Sequence, residues 1–337
     1  MDAGRLAYRE GISKPPSNCK ASVYSVNLPF IKGQKLIVHA DDFGITLAQA
    51  QSLLALSKAS DKSNPLSSVS IFANSPVFYD SAKLLHSSVE NKTMKVSLHL
   101  NLVEGAPCAA PDKIPLLIGE RKTFCHSFIG LLQISLGPRR SALYQQIVQE
   151  FDAQIKTFLR VFPEQQHSLR IDSHQHTHMI PLVFDALQET IQTNNCTLEH
   201  VRIPVEDLTL YAQFGLKHMI PRQNRLKNSV LSCLSRHAKK QLSNRNITSS
   251  FCGIAFSGSM YQMTPELLFA LEEQAHQNHQ ELEVLYHPIT VPLASCLDPE
   301  NLPFATACAS NGRNKEAQSL LDIKETLYCA TRSSTHR

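Results

Sequence analysis

The feature that most constrains this chain is an alternation: short apolar runs recur along it, separated by stretches with helical spacing. Leu36-Ile37-Val38 reads as a buried strand running into Asp41, and Leu47, Ala50, Leu53, Leu54 and Leu56 then mark a helix between Ile45 and Ala59, broken beyond by Asn64-Pro65. Further strands are expected at Val69–Asn74, Lys95–Leu100, Leu169–Ile171 and Leu282–Leu285, with weaker ones at Val201–Ile203 and Phe251–Ile254. Helices are expected near Tyr79–Ser88, at Ala142–Val161, after Pro181 and at Pro265–His276. Strands that alternate with helices of about ten to fifteen residues build βαβ units and a parallel sheet. About seven strands fit a (β/α) barrel or an open doubly wound sheet. No G-x-G-x-x-G follows the first strand and no G-x-x-x-x-G-K-[ST] occurs, which sets nucleotide-binding open sheets aside. The expectation is an α/β fold, a closed or partly closed TIM-barrel-like sheet.

A chain of 337 residues is long enough for one such barrel. Residues 1–34 lack periodicity and are expected to form a loosely ordered extension, with 35–330 a single barrel domain carrying a basic insertion around 208–250. From Leu208 to Pro265 there is no Asp or Glu, but there are Lys217, Arg222, Arg225, Lys227, Arg236, Lys239, Lys240 and Arg245. That pattern suits a solvated helical insertion, and equally a basic flap over the site that meets an anionic substrate or surface.

A net charge of +4 is too mild to indicate nucleic acid, and no apolar run reaches the roughly 18–20 residues of a membrane helix. Met1–Lys20 has no apolar core of the kind a secretory signal needs. The nine cysteines never fall at C-x-x-C spacing, and their odd number fits reduced thiols and a cytoplasmic location.

Catalytic groups of a barrel come from the C-terminal ends of several strands. Four apolar runs end in such groups: the runs reach Asp41-Asp42, His99 with Asn101, Asp172 with His174, His176 and His178, and His287-Pro288. Adjacent residues of an extended strand face opposite ways, but at a strand terminus both aspartates can reach one cavity. Beside a cation, one carboxylate can serve as ligand while the other accepts a proton. The competing reading of Asp41-Asp42 is a turn or helix cap, with Gly44 supplying a permissive backbone. Three histidines at i, i+2, i+4 share one face of a strand, whereas on a helix only His174 and His178 align. Neutral imidazole is a common metal ligand, and histidines that do not ligate can bind substrate or orient the others. His99 by itself would as readily be a hydrogen-bonded core histidine. No G-x-S-x-G, H-E-x-x-H or thiol-protease signature occurs; Ser257-Gly258-Ser259 lacks the spacing.

Together these segments resemble the YdjC-like (ChbG/HpnK) carbohydrate deacetylases. The matching stretches are A-D-D-F-G at Ala40–Gly44, L-H-L-N-L at Leu98–Leu102 followed by Glu104-Gly105, D-S-H-x-H-x-H at Asp172–His178, and His287-Pro288. Weaker echoes are Ser68-Val69-Ser70 with Asn74, Arg202–Glu206, and Arg313 with Glu316 and Leu320. The similarity runs in order over about residues 35–325. His39 stands where the family more often has Asn, and Ile289 where it usually has Gly. The resemblance implies a distorted (β/α) barrel related to polysaccharide deacetylases, and removal of acetyl groups from small N-acetylglucosamine-containing sugars. Carried over by position, it makes Asp42, His99 and His174 ligands of one divalent ion, Mg²⁺ or Zn²⁺. It makes Asp41 the base and His287 the acid that protonates the leaving amine. Asn74, Asn101, His176, His178 and Arg202 become candidates for substrate binding.

The expected partner is thus a small N-acetylated sugar, with no nucleic acid and no integral membrane association; a homo-oligomer is allowed. Two alternatives stay open: a metal-dependent hydrolase of another amide or ester, such as a lipid-linked aminosugar, and a non-catalytic binding module on the same fold.

Overall fold

Parallel strands covered on both faces are apolar throughout, and the short runs of this chain behave that way: Ser68–Ile71 and Leu169–Ser173 are buried at every position. The seven strands are β1 (Leu36–Phe43), β2 (Ser68–Ile71), β3 (Lys95–Leu100), β4 (Leu169–Ser173), β5 (Leu198–Val201), β6 (Ser250–Cys252) and β7 (Leu282–Tyr286). All pair in parallel, in the order β5-β4-β3-β2-β1-β7-β6. The computed structural model describes residues 36–58, 66–243 and 245–334. The expected extension at 1–34 and the Asn64-Pro65 break lie outside the described residues.

That order is the cyclic one, 1 to 7, opened between β5 and β6. The open edges still meet. The Val201 N–H donates to the Ile247 carbonyl at 2.9 Å, and His200 Nε2 lies 3.1 Å from Ser249 Oγ. Val201, Ile203 and Phe251 share an apolar cluster across this seam. The sheet is thus a curled, partly closed barrel, as expected. The weak strand expected at Val201–Ile203 sits earlier, at Leu198–Val201, because beyond it the chain leaves the ladder to climb the seam.

Helices α1 (Leu47–Lys58), α2 (Phe78–Glu90), α3 (Phe128–Ser135), α4 (Arg140–Leu159), α5 (Pro181–Thr193), α6 (Thr209–Gln213), α7 (Arg222–Leu242), α8 (Pro265–Gln277), α9 (Leu302–Ala309) and α10 (Asn311–Ser334) fill the connections. The acid-free stretch begins in the link from β5 to β6 and runs through β6 to the start of α8, and its basic residues all lie in that link. Helix α7 buries Asn224, Asn228, Leu231, Ser235, Ala238 and Leu242, a stripe of alternating three- and four-residue steps. Its upper positions are polar because they tie loops instead of filling the core. Asn224 Nδ2 donates to the Ala255 and Ser257 carbonyls, and Asn228 Oδ1 accepts the Glu206 N–H.

The strand that carries both aspartates is irregular. Ala40 pairs with Val69 and Phe43 with Ile71, so three steps along β1 oppose two along β2. The extra residue is a bulge, and Asp42 takes it up at φ 63°, a left-handed conformation that aspartate tolerates better than most side chains. Strict alternation would send the two carboxyls to opposite faces. The bulge cancels that, and both enter one cavity.

Candidate active site

Three strand ends converge on one point. Asp42 Oδ1 lies 3.6 Å from His99 Nε2 and 3.3 Å from His174 Nδ1. Asp42, His99 and His174 are buried, and one ligand atom from each falls within 4.8 Å of the others. Asp42 Oδ1, His99 Nε2 and His174 Nε2 also have no hydrogen-bond partner although they are buried. His174 turns its other nitrogen, Nδ1, to Asp42, and its Nε2 lies 3.9 Å from Glu104 Oε1. Unpaired buried polar atoms cost roughly 1–3 kcal/mol each, so the facing pair Asp42 Oδ1 and His99 Nε2, 3.6 Å apart, calls for an occupant between them. A carboxylate oxygen and two imidazoles fit a divalent cation, with coordination positions left over.

The neighbours hold these groups in that arrangement. Asp172 Oδ1 sits 2.5 Å from His99 Nδ1, which fixes the ring and turns Nε2 toward the centre. The other oxygen of Asp42 is taken by Arg313 Nη2 at 2.6 Å. Burial pushes the Asp42 carboxyl up, but Arg313 and the two histidines hold it well below the usual carboxylate range. For His99, burial acts downward, yet the Asp41 and Asp172 carboxylates raise it to about 10.

Asp41 stands beside this centre. Its Oδ1 accepts from Ser70 Oγ at 2.9 Å, and its Oδ2 accepts from Arg202 Nη1 at 2.9 Å. Burial raises its pKa, but Arg202, His99 and His39 bring it well below the ordinary value, so it is ionised at neutral pH. His287 Nε2 lies 3.9 Å from Asp41 Oδ2 with a quarter of its side chain exposed (26%), the most open of the group. Burial, only partly countered by Asp42 and Asp41, lowers His287 to about 4, and the ring is neutral near pH 7.

The histidine cluster adopts neither geometry expected for it. β4 ends at Ser173, and His174–Met179 is a tight turn with Gln175 and His176 at φ 53° and 60°. The three rings therefore part ways. His174 joins Asp42. His178 lies 2.5 Å from Ser173 Oγ and 2.9 Å from the Arg202 carbonyl, fully buried. His176 rests edge-on against Phe251 with its Nδ1 unpaired.

Of the other expected site residues, Asn101 is fully buried and binds the loop after β3, accepting the Val103 and Glu104 N–H groups. Asn74 Nδ2 donates to the Glu104 and Ala106 carbonyls. Arg202 is fully buried below Asp41, with Asp172 Oδ2 at 3.0 Å and Glu283 Oε1 at 2.6 Å from its Nη2.

Four further residues complete the site: Phe72 and Phe304, which the sequence reading did not single out, and Glu104 and Glu316, which it met only as parts of the family resemblance. Phe72 and Phe304 pack edge-on against His174. Glu104 lies 3.9 Å from His174 Nε2, and burial raises its carboxyl to about 8 despite bonds from Asn301 and Gln175. Glu316 of α10 accepts the His287 N–H at 2.7 Å and the Met260 N–H at 3.1 Å. Their signal in sequence is thin: an isolated Phe or Glu in a helix has no spacing that marks it. Ile289, where the resembling family has Gly, stands at φ 71°, a conformation that suits glycine and strains a β-branched side chain.

This chain is similar to several known proteins. The family model described as YdjC-like protein matches residues 35–326. A carbohydrate deacetylase from Enterococcus faecalis is 28% identical over 148 residues, 44% of this chain and 51% of that protein. A chitooligosaccharide deacetylase from Yersinia enterocolitica is 27% identical over 153 residues, 45% of this chain and 54% of that protein. The match thus spans about half the length of these curated relatives. A solved structure from Enterococcus faecalis V583, named for cellobiose-phosphate cleavage, superposes with a TM-score of 0.57 at 19% identity, covering 89% of this chain and 95% of that one.

Proposed function

This chain belongs to the YdjC-like family, and on that premise we propose that it is a metal-dependent carbohydrate deacetylase that hydrolyses the N-acetyl group of small N-acetylglucosamine-containing sugars. The observation that carries the reading is the meeting of Asp42 Oδ1 and His99 Nε2, both buried and unpaired, with His174 Nδ1, beside an ionised carboxylate and a neutral, partly exposed imidazole. The names of the relatives supply the substrate class.

In this reading Asp42, His99 and His174 hold the ion. Their one oxygen and two nitrogens suit Zn²⁺, whereas Mg²⁺ prefers more oxygen ligands. A divalent ion bound there polarises the amide carbonyl and makes water easier to deprotonate. Asp41 enters the reaction ionised and His287 neutral, so the pair has room for a proton. Asp41 takes it from the attacking water, held in place by Ser70 and Arg202. His287, 3.9 Å from Asp41 Oδ2, passes the proton to the departing amine. Among the expected substrate contacts, His176 keeps a free ring nitrogen, while Asn74, Asn101, His178 and Arg202 serve the framework. Phe72 and Phe304 pack edge-on against His174 and would limit water around a cation held there.

We read residues 35–330 as one domain, working in the reducing cytoplasm; seven cysteines among the described residues are free thiols. No helix among the described residues is long and apolar enough to cross a membrane. The test is acetate release from a panel of N-acetylated mono- and oligosaccharides by protein loaded with Zn²⁺ or Mg²⁺. Failure on every sugar with either ion ends the carbohydrate reading.

One observation favours a second reading, a lipid-linked aminosugar. Phe214, Met219 and Leu226 are exposed, and Lys217, His218 and Arg225 line a shallow hollow beside them. Helix α7 starts at the end of the barrel where the ligands lie, as Asn224 binds the loop after β6. Equal rates on soluble sugars and on substrate in anionic vesicles count against this second reading.

A further inference from the structure

Arg313 has no part in the chemistry above, yet it makes one of the shortest contacts in the site. Its Nη2 lies 2.6 Å from Asp42 Oδ2, and its Nε donates to the Ala307 carbonyl at 3.2 Å. The side chain is buried, on the first turn of α10. One turn later Glu316 grips the His287 backbone, so a single helix face holds both a candidate ligand and the candidate proton donor.

A carboxylate can offer a cation two oxygens or one. Arg313 occupies Oδ2 and leaves Oδ1 as the unpaired atom facing His99 and His174. It also cancels the only formal negative charge in the proposed ligand set. The geometry points to Arg313 as a positioning residue that makes Asp42 a one-oxygen ligand and keeps its charge from the ion, so that the site gives up binding strength to leave the cation a stronger Lewis acid. The reasoning is Coulombic. A buried guanidinium next to the ligand repels a dication, and a ligand whose charge is already compensated donates less to it. An ion held by two deprotonated imidazoles and a compensated carboxylate would keep more of its charge than one held by the same set without Arg313.

This inference rests on the metal-site reading. It is tested by direct titration of ion-free protein with Zn²⁺ and with Mg²⁺, alongside kcat and KM on whichever N-acetylated sugar the protein hydrolyses. Arg313→Met keeps the length of the side chain and removes its charge. The expected result is ion affinity raised about tenfold, with kcat lowered and KM little changed. Arg313→Lys, which keeps the charge but loses the planar fork, is expected to retain the original affinity and part of the kcat. If affinity falls with kcat in Arg313→Met while the protein stays folded by circular dichroism, Arg313 is only a prop for Asp42 and the inference is overturned. Should Arg313→Met fail to fold, Arg313→Lys decides: affinity unchanged upholds it, and affinity lost overturns it. A wild-type protein that binds neither ion defeats the metal-site reading itself, a result distinct from either.

Discussion

Two neighbouring clusters in the barrel use the same residue types and end in opposite states. Asp42, His99 and His174 form one, and His39, Asp172 and Glu283, a few ångströms deeper, form another that could in principle also hold a cation. The deeper cluster already has one. Arg202 reaches Asp41, Asp172 and Glu283 together, at 2.9, 3.0 and 2.6 Å. Burial alone would raise the Glu283 carboxyl, but Arg202 first, then His39 and His200, bring it to about 2. The outer cluster has a guanidinium on one side only, against Asp42 Oδ2, and leaves Asp42 Oδ1 facing His99 and His174 with no cation between them. Composition does not separate a structural charge cluster from a metal site. The presence or absence of a resident cation does.

The sharpest way to break this contrast is to remove the resident cation. Arg202→Met leaves three carboxylates buried without their partner, and the expected loss is at least 3–5 kcal/mol, roughly the cost of halving a buried ion pair. Urea unfolding followed by circular dichroism measures it. His174→Ala, in the outer cluster, should unfold within about 1 kcal/mol of wild type in the absence of metal, because there it removes no satisfied bond of the kind Arg202 makes. Equal losses in the two variants would erase the distinction.

A second comparison sets Asp41 against Asp42. Asp41→Asn is expected to lower kcat by about 10²–10⁴ while ion binding persists, the range for losing a general base. His174→Ala should lose the ion itself. Full activity in Asp41→Asn would move the base elsewhere.

A third comparison concerns pH. Burial holds His178 to about 4 and His200 to about 3, against an ordinary value of 6.5. The unfolded chain binds protons at these rings as pH drops below 6.5, while the folded chain does not until 4 or lower. Their stability contribution is therefore complete above pH 6.5 and drains away below it, by up to about 1.4 kcal/mol per pH unit for each ring. Thermal midpoints between pH 7 and 4.5 should fall, and His200→Gln should make the slope shallower. A slope unchanged by His200→Gln would remove that ring from the account.

Much of this was legible in the sequence, for identifiable reasons. Strand positions follow from apolar runs because a parallel sheet buries both faces, so six of the seven strands lie within a few residues of expectation and β5 alone is displaced. Strand ends, set by local pattern, brought Asp41-Asp42, His99, the His174–His178 cluster and His287 into view, and the family resemblance, not the pattern, chose Asp42, His99 and His174 among them. The fates of His176 and His178 were not legible. Two consecutive left-handed residues turn the chain after β4, and periodicity arguments presuppose a regular element. Arg313 escaped a role for another reason: it lies 271 positions from the carboxylate it binds, a distance no local pattern spans. Ile289 is the reverse case, because the departure was plain in the sequence and its meaning appeared only with its backbone angle.

The bulge in β1 narrows which residues evolution can try at position 42. Glutamate is a chemically competent cation ligand but does not settle readily at φ 63°, whereas histidine accepts the angle, as His176 does at φ 60°, but brings no charge. Asparagine and glycine accept that angle, yet one brings no charge and the other no donor atom. Aspartate alone meets both demands, so drift at this position is closed by backbone shape as well as by chemistry. A lineage that abandoned the cation would be free to change His99 or His174 long before it could profitably replace Asp42 with anything but asparagine, histidine or glycine.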